Sequence, residues 1–149
     1  MVIRSVKMKK YRKIIIKKIF DHNRHVASED SSEFNDYFLQ AVHWALDEFY
    51  YGSYNEDYLI KSLHDPDFDI LGGNEGFIQK VENMVELYTP EDDLFVEPGD
   101  IPIPSAIVSI ENLKVLAQDW KEFYERHAPV IYLIVEDNGW VTLRERLEE

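Results

Sequence analysis

Three carboxylates at alternate positions, Asp65-Pro66-Asp67-Phe68-Asp69, are the most explicit metal-like feature of this 149-residue chain. An EF-hand calcium loop begins this way, because alternating oxygen ligands converge on one ion. The rest of such a loop is missing. Its sixth position, which needs Gly for a sharp turn, is Ile70, and its twelfth, which needs a bidentate Glu, is Gly76. The segment therefore reads as a solvated acidic turn that ends a helix. His22 and His25, next to Asp21, form a second metal-like pair, but His43, His64 and His127 are scattered with no companion motif to complete a site. There is no Cys, no Gly-x-Ser-x-Gly elbow and no recognisable Ser/His/Asp set. Gly72-Gly73-Asn74-Glu75-Gly76 is glycine-rich, yet no lysine follows within it and the surrounding acids would repel a phosphate. No catalytic residue, metal ligand or cofactor is assigned. A small metal-dependent hydrolase using His and carboxylate groups is the alternative reading.

A different combination stands out, aromatics interleaved with acids. Tyr50-Tyr51-Gly52-Ser53-Tyr54-Asn55-Glu56-Asp57-Tyr58 sets four tyrosines around one helix break. Tyrosine offers a large contact area at low rotamer cost and is enriched at interface centres. Residues 65–100 then hold eleven acids against one base, Lys80. The candidate partner-binding residues are Tyr50, Tyr51, Tyr54, Asp65, Asp67, Asp69, Glu91, Asp92 and Asp93. The net charge of −13 conceals a division along the chain. Residues 1–24 hold nine of the sixteen Lys and Arg and a single acid, Asp21, which leaves residues 25–149 at −21. A body this acidic repels nucleic-acid backbones and attracts basic proteins. The expected partner is thus a basic protein, with no direct nucleic-acid contact and no membrane. The lysine-rich start carries a competing reading as a basic arm that binds nucleic acid.

The elements that must position these residues follow from periodicity. Ser109 is placed to cap a helix in which Ile110, Leu113, Leu116, Ala117, Trp120, Phe123 and Tyr124 form one apolar stripe. Val130 to Val135 is continuously apolar and β-branched, Asp137-Asn138-Gly139 reverses the chain, and Trp140 to Leu143 returns. Ile14-Ile15-Ile16 between lysines reads as a strand over Tyr11–Phe20. Ala27 to Glu33 reads as a polar connection, with Ser31 or Ser32 capping the helix that follows. In that helix Phe34, Phe38, Ala41, Ala45 and Phe49 trace one face, flanked by Tyr37, Val42, Trp44 and Leu46. Phe77, Val81, Met84 and Tyr88 give another helical stripe. From Pro90 to Pro104 the pattern is that of a long acidic loop. The expectation is an α+β fold. Four helices, near 33–51, 56–64, 74–88 and 110–126, pack on a small antiparallel sheet made by 11–20 and a C-terminal β-hairpin at 130–136 and 140–144. A mainly helical bundle with an appended hairpin is the alternative. The length suits a single domain over 1–149, with 1–8 a loose leader and Met8 a second candidate start. No apolar run approaches the roughly 18–20 residues of a spanning helix, and the lack of Cys fits a reducing, cytoplasmic setting.

From Ile101-Pro102-Ile103-Pro104 to Trp120-Lys121-Glu122-Phe123, the chain resembles small immunity proteins of contact-dependent growth inhibition and related polymorphic toxin systems. The resemblance is carried by an extended segment leading through a Ser cap into an acidic helix, Ala106-Ile107-Val108-Ser109-Ile110-Glu111-Asn112-Leu113, with Trp120 near its end. It covers about 25 residues and implies a cytoplasmic, non-catalytic protein that occludes one cognate toxin. Such toxins are frequently basic nucleases, which would account for the acidity. The lysine-rich start departs from that pattern.

Overall fold

The computed structural model describes residues 10–19, 22–31, 37–50, 58–72, 76–88 and 103–147. In chain order the elements are β1 (Lys10–Ile19), β2 (His22–Asp30), α1 (Tyr37–Tyr50), α2 (Tyr58–His64), β3 (Ile70–Gly72), β4 (Phe77–Val81), β5 (Met84–Tyr88), β6 (Ala106–Ser109), α3 (Ile110–Glu125), β7 (Val130–Val135) and β8 (Val141–Arg144). They build two four-stranded sheets, ordered β2-β1-β7-β8 and β3-β4-β5-β6. Every pairing is antiparallel. The fold is α+β, and three helices are present among the described residues.

The isoleucine run behaves as its alternation requires. Ile14 and Ile16 are buried, while Lys13 and Lys17 alternate with them on the opposite face. β1 pairs with β7 from Lys10↔Val135 to Ile15↔Val130, which unites the N-terminal strand with the C-terminal hairpin. The hairpin turns where expected. Gly139 adopts φ +86°, Glu136 N–H donates to Trp140 O at 2.8 Å, and Asn138 Oδ1 accepts from Trp140 N–H at 2.9 Å. The helix 110–126 is also observed. Ser109 Oγ accepts from Asn112 N–H at 3.0 Å, and Leu113, Leu116, Ala117, Trp120 and Tyr124 are buried. The chain leaves α3 through a Schellman motif: Ala128 N–H donates to Phe123 O, His127 N–H donates to Tyr124 O, and His127 takes φ +61°.

Three expectations are overturned. In place of the helix expected over 74–88, residues 77–88 form a β-hairpin. Phe77, Val81, Met84 and Tyr88 fit helical spacing, yet a reversal at Glu82-Asn83 puts the same four residues on one face as cross-strand pairs, Phe77↔Tyr88 and Val81↔Met84. The intervening Ile78, Val85 and Leu87 fill the core. The turn hides from composition because Glu82 itself adopts φ +57°, where Gly or Asn is usual. Second, Ala27 to Glu33 is not merely a connection, since β2 runs through it to Asp30. Ser31 does not cap a helix. Its hydroxyl accepts from Tyr11 N–H at 2.8 Å and its own N–H donates to Tyr11 O, so it extends the β1–β2 ladder. Third, the sheet is larger than expected, because β3 to β6 form a second one. Ser32, the leader 1–8 and most of the 90–104 loop lie outside the described residues.

Helices α1 and α3 each pack against strands of both sheets, α1 on β1, β5 and β6, and α3 on β8, β5 and β6, while α2 rests on α1 and α3. With two sheets to satisfy, α1 buries a broad arc of Leu39, Ala41, Val42, His43, Ala45 and Leu46. Phe38 and Trp44 pack at the margin of that arc instead of at its centre. Buried residues drawn from both sheets and all three helices form one hydrophobic cluster, with Ile134 and Tyr88 buried apart from it.

Candidate functional site

Among the proposed partner-binding residues, Asp65, Asp67 and Asp69 occupy the turn between α2 and β3, and all three are exposed. The turn begins where α2 must stop, since Pro66 disfavours helical backbone at the residue before it. Asp65 Oδ1 accepts from Asp67 N–H at 2.9 Å, and Asp65 O accepts from Phe68 N–H at 3.1 Å. Asp69 O accepts from Lys80 N–H at 2.7 Å, which ties the turn to β4. One carboxylate therefore shapes the backbone. The other two are displayed, and among the described residues no cation forms an ion pair with any of the three. The lone base of the segment, Lys80, reaches the Pro66 carbonyl at 3.4 Å instead. Tyr51, Tyr54, Glu91, Asp92 and Asp93 lie outside the described residues, as does the side chain of Tyr50, the last residue of α1.

Among the described residues no three His, Asp or Glu side chains are grouped as a metal ion needs, the acidic turn included. His22 and His25 fall in β2, paired with Ile19 and Ile16. His64 ends α2 and is exposed, and His127 is the exposed left-handed residue after α3. Gly76 serves packing: a Cβ there would collide with the Tyr88 carbonyl oxygen and crowd the Trp44 ring.

The best-built polar cluster went unnoticed in the sequence. Arg12 on β1 donates from Nε to His43 Nδ1 at 3.0 Å. Its Nη1 bonds both Asp30 carboxylate oxygens at 3.1 and 3.0 Å, and its Nη2 bonds Ser28 Oγ at 2.7 Å. The guanidinium thus ties β1, β2 and α1 together. Because Nδ1 accepts, a neutral His43 carries its proton on Nε2. The lone pair a general base would use at Nδ1 is already engaged. The imidazole also lies 5.7 Å from the Trp120 ring, which stacks at 5.4 Å on Tyr124. The cluster is a brace that runs from the buried His43 out to the exposed Ser28. An arginine separated from its partners by 16 to 31 residues leaves no local signature.

A second buried polar residue has a similar role. Asn112 on α3 donates from Nδ2 to Val141 O at 2.8 Å and accepts at Oδ1 from Val141 N–H at 2.9 Å. It thereby pairs with the backbone of β8, which lies at the edge of its sheet. Among the described residues no helix is long and apolar enough to cross a membrane. Comparison of the chain with known protein families, curated proteins and solved structures finds no match in any of the three.

Proposed function

We propose that this chain is an immunity-type binding protein, cytoplasmic and non-catalytic, that holds and occludes a basic protein domain such as a nuclease toxin. The observation that carries this reading is the acidic turn. Asp67 and Asp69 are exposed, held by backbone hydrogen bonds, and not ion-paired with any of the described residues. Carboxylates left without internal cations suit an external one. They belong to a segment with eleven acids and one base, in a body of −21. Fixed acids of this kind raise the rate of encounter with a basic surface more than they raise the final affinity.

The test is capture of partners on the tagged full chain from source-cell lysate, followed by surface-based kinetics on the protein recovered. A basic partner should associate several-fold more slowly at about 500 mM salt than at about 50 mM, because the screening length falls from about 14 to about 4 Å. Asp67→Asn with Asp69→Asn should slow association, whereas Asp65→Asn, which keeps the turn-forming oxygen, should change it less. Recovery of no basic partner, or association that ignores salt, would sink the proposal.

A further inference from the structure

The outer face of the β3–β6 sheet exposes large apolar side chains among its polar ones. Register fixes its rows: Ile70, Gln79, Glu86 and Ile107 cross the sheet in line, and Val81, Met84 and Ser109 form the next row. The opposite face, with Ile78, Val85, Leu87, Ala106 and Val108, is already buried against the helices. Ile70, Val81 and Ile107 nevertheless stand 57%, 44% and 48% exposed. In the other sheet Lys13, Thr142 and Arg144 share the outer face with Tyr11, Ile15, Val130, Tyr132 and Ile134, and none of those apolar residues is exposed. Exposed apolar side chains gathered on the second face of a sheet whose first face is already buried are expected where a second surface docks.

Charge says what kind of surface. The acidic turn runs directly into Ile70, exposed Glu82 flanks Val81 at the hairpin tip, and Glu86 stands within the face, accepting from Tyr88 Oη at 3.0 Å. No Lys or Arg occupies the two rows. An apolar centre with an acidic rim complements an apolar patch rimmed by Lys and Arg. We infer that the outer face of the β3–β6 sheet, centred on Val81, Met84 and Ile107, is where the basic partner docks. This rests on the immunity-type reading and adds the location and the apolar contact to it. The acidic turn then steers the approach while the sheet face supplies the desolvated area that holds the complex.

The experiment places a benzophenone amino acid at Val81, at Ile107 or, as an exposed control on α3, at Val115 of the full chain. The chain is irradiated in source cells, and the tagged chain is captured in parallel. Adducts from positions 81 and 107, but not 115, to a single protein of basic isoelectric point are expected. Val81→Thr with Ile107→Thr, which keeps β-branching at both sites, should then raise the dissociation rate of that partner about tenfold, as loss of a central contact does. Val115→Thr should leave that rate within about twofold. Adducts at twice the chain mass, adducts within the chain, adducts to an acidic protein, or no adducts from the face would each overturn the inference. Recovery of a basic partner in the parallel capture would leave the immunity-type reading standing in those cases, and its absence would remove both.

Discussion

Replacing Asn112 by Leu should cost far more than one surface-accessible amide would suggest. Asn112 is 3% exposed and Val141 is fully buried, so water cannot replace what the side chain provides. Leu has a similar volume but can neither accept from Val141 N–H nor donate to Val141 O. Two backbone groups are then left buried without partners, at about 1–3 kcal/mol each. The added apolar burial returns about 1 kcal/mol, which puts the net loss at about 1–5 kcal/mol. For a chain of this size that lowers Tm by roughly 2–20 °C. Asn112→Asp separates the two bonds. Its carboxylate still accepts from Val141 N–H but sets a second oxygen against Val141 O, an arrangement relieved by protonation. The variant's folded carboxyl pKa is then raised, so its deficit relative to wild type shrinks as pH falls and is least below the ordinary carboxylate pKa of about 3.9. Thermal unfolding by circular dichroism from pH 4 to 8, with hydrogen exchange at the Val141 amide, measures both. A Leu variant melting within about 2 °C of wild type would refute the reasoning.

Trp120, 1% exposed between His43 and Tyr124, should cost about 3–5 kcal/mol when changed to Ala, read as a large drop in Tm. Glu82→Gly relieves a side chain at φ +57° and should raise Tm by a few degrees, the gain being limited by the added freedom of Gly in the unfolded chain. Asp119 has its pKa raised above 3.8, first by desolvation and then by repulsion from Glu122. The folded state therefore binds that proton more tightly, and this group's contribution to stability declines as pH climbs from 3.8 through the raised value. Asp119→Asn should accordingly stabilise at neutral pH and make no difference at the acid end of a pH series of melts.

Where a pattern is local, the sequence was a good guide. Ser109, the stripe through Trp120 and the Asp137-Asn138-Gly139 reversal are read from neighbours within a few positions, and the structure has them all. The Ile14–Ile16 strand was legible because its lysines alternate with buried residues. β2 was not, since HNRHVASED has no apolar alternation and owes its conformation to pairing with β1. The 77–88 hairpin was misread because two strands and a two-residue turn can mimic helical spacing, and Glu82 carries no turn signal. The acidic turn was legible as composition. Its division of labour, Asp65 shaping the backbone while Asp67 and Asp69 are displayed, needed the hydrogen bonds. The exposed Ile70, Val81 and Ile107 of the second sheet share a face only once residues 77–88 pair as strands, which helical spacing conceals.

Joining β1 to β7 has a consequence for synthesis. The β3–β6 sheet closes among residues 70–109, but β1 ends at Ile19 and its inner neighbour begins at Val130. At about 5–20 residues per second, a ribosome takes roughly 5–20 s to make the intervening chain. Through that interval β1 can pair with β2 while its other edge remains open, with Ile14 and Ile16 not yet sealed by β7. Such an edge invites pairing with other nascent chains. Lys13 and Lys17, alternating with those isoleucines, put charge along it for as long as it waits. Their main use would then come before the fold is finished, and replacing both with Thr should show first as aggregation during expression, with little change in the Tm of whatever folds.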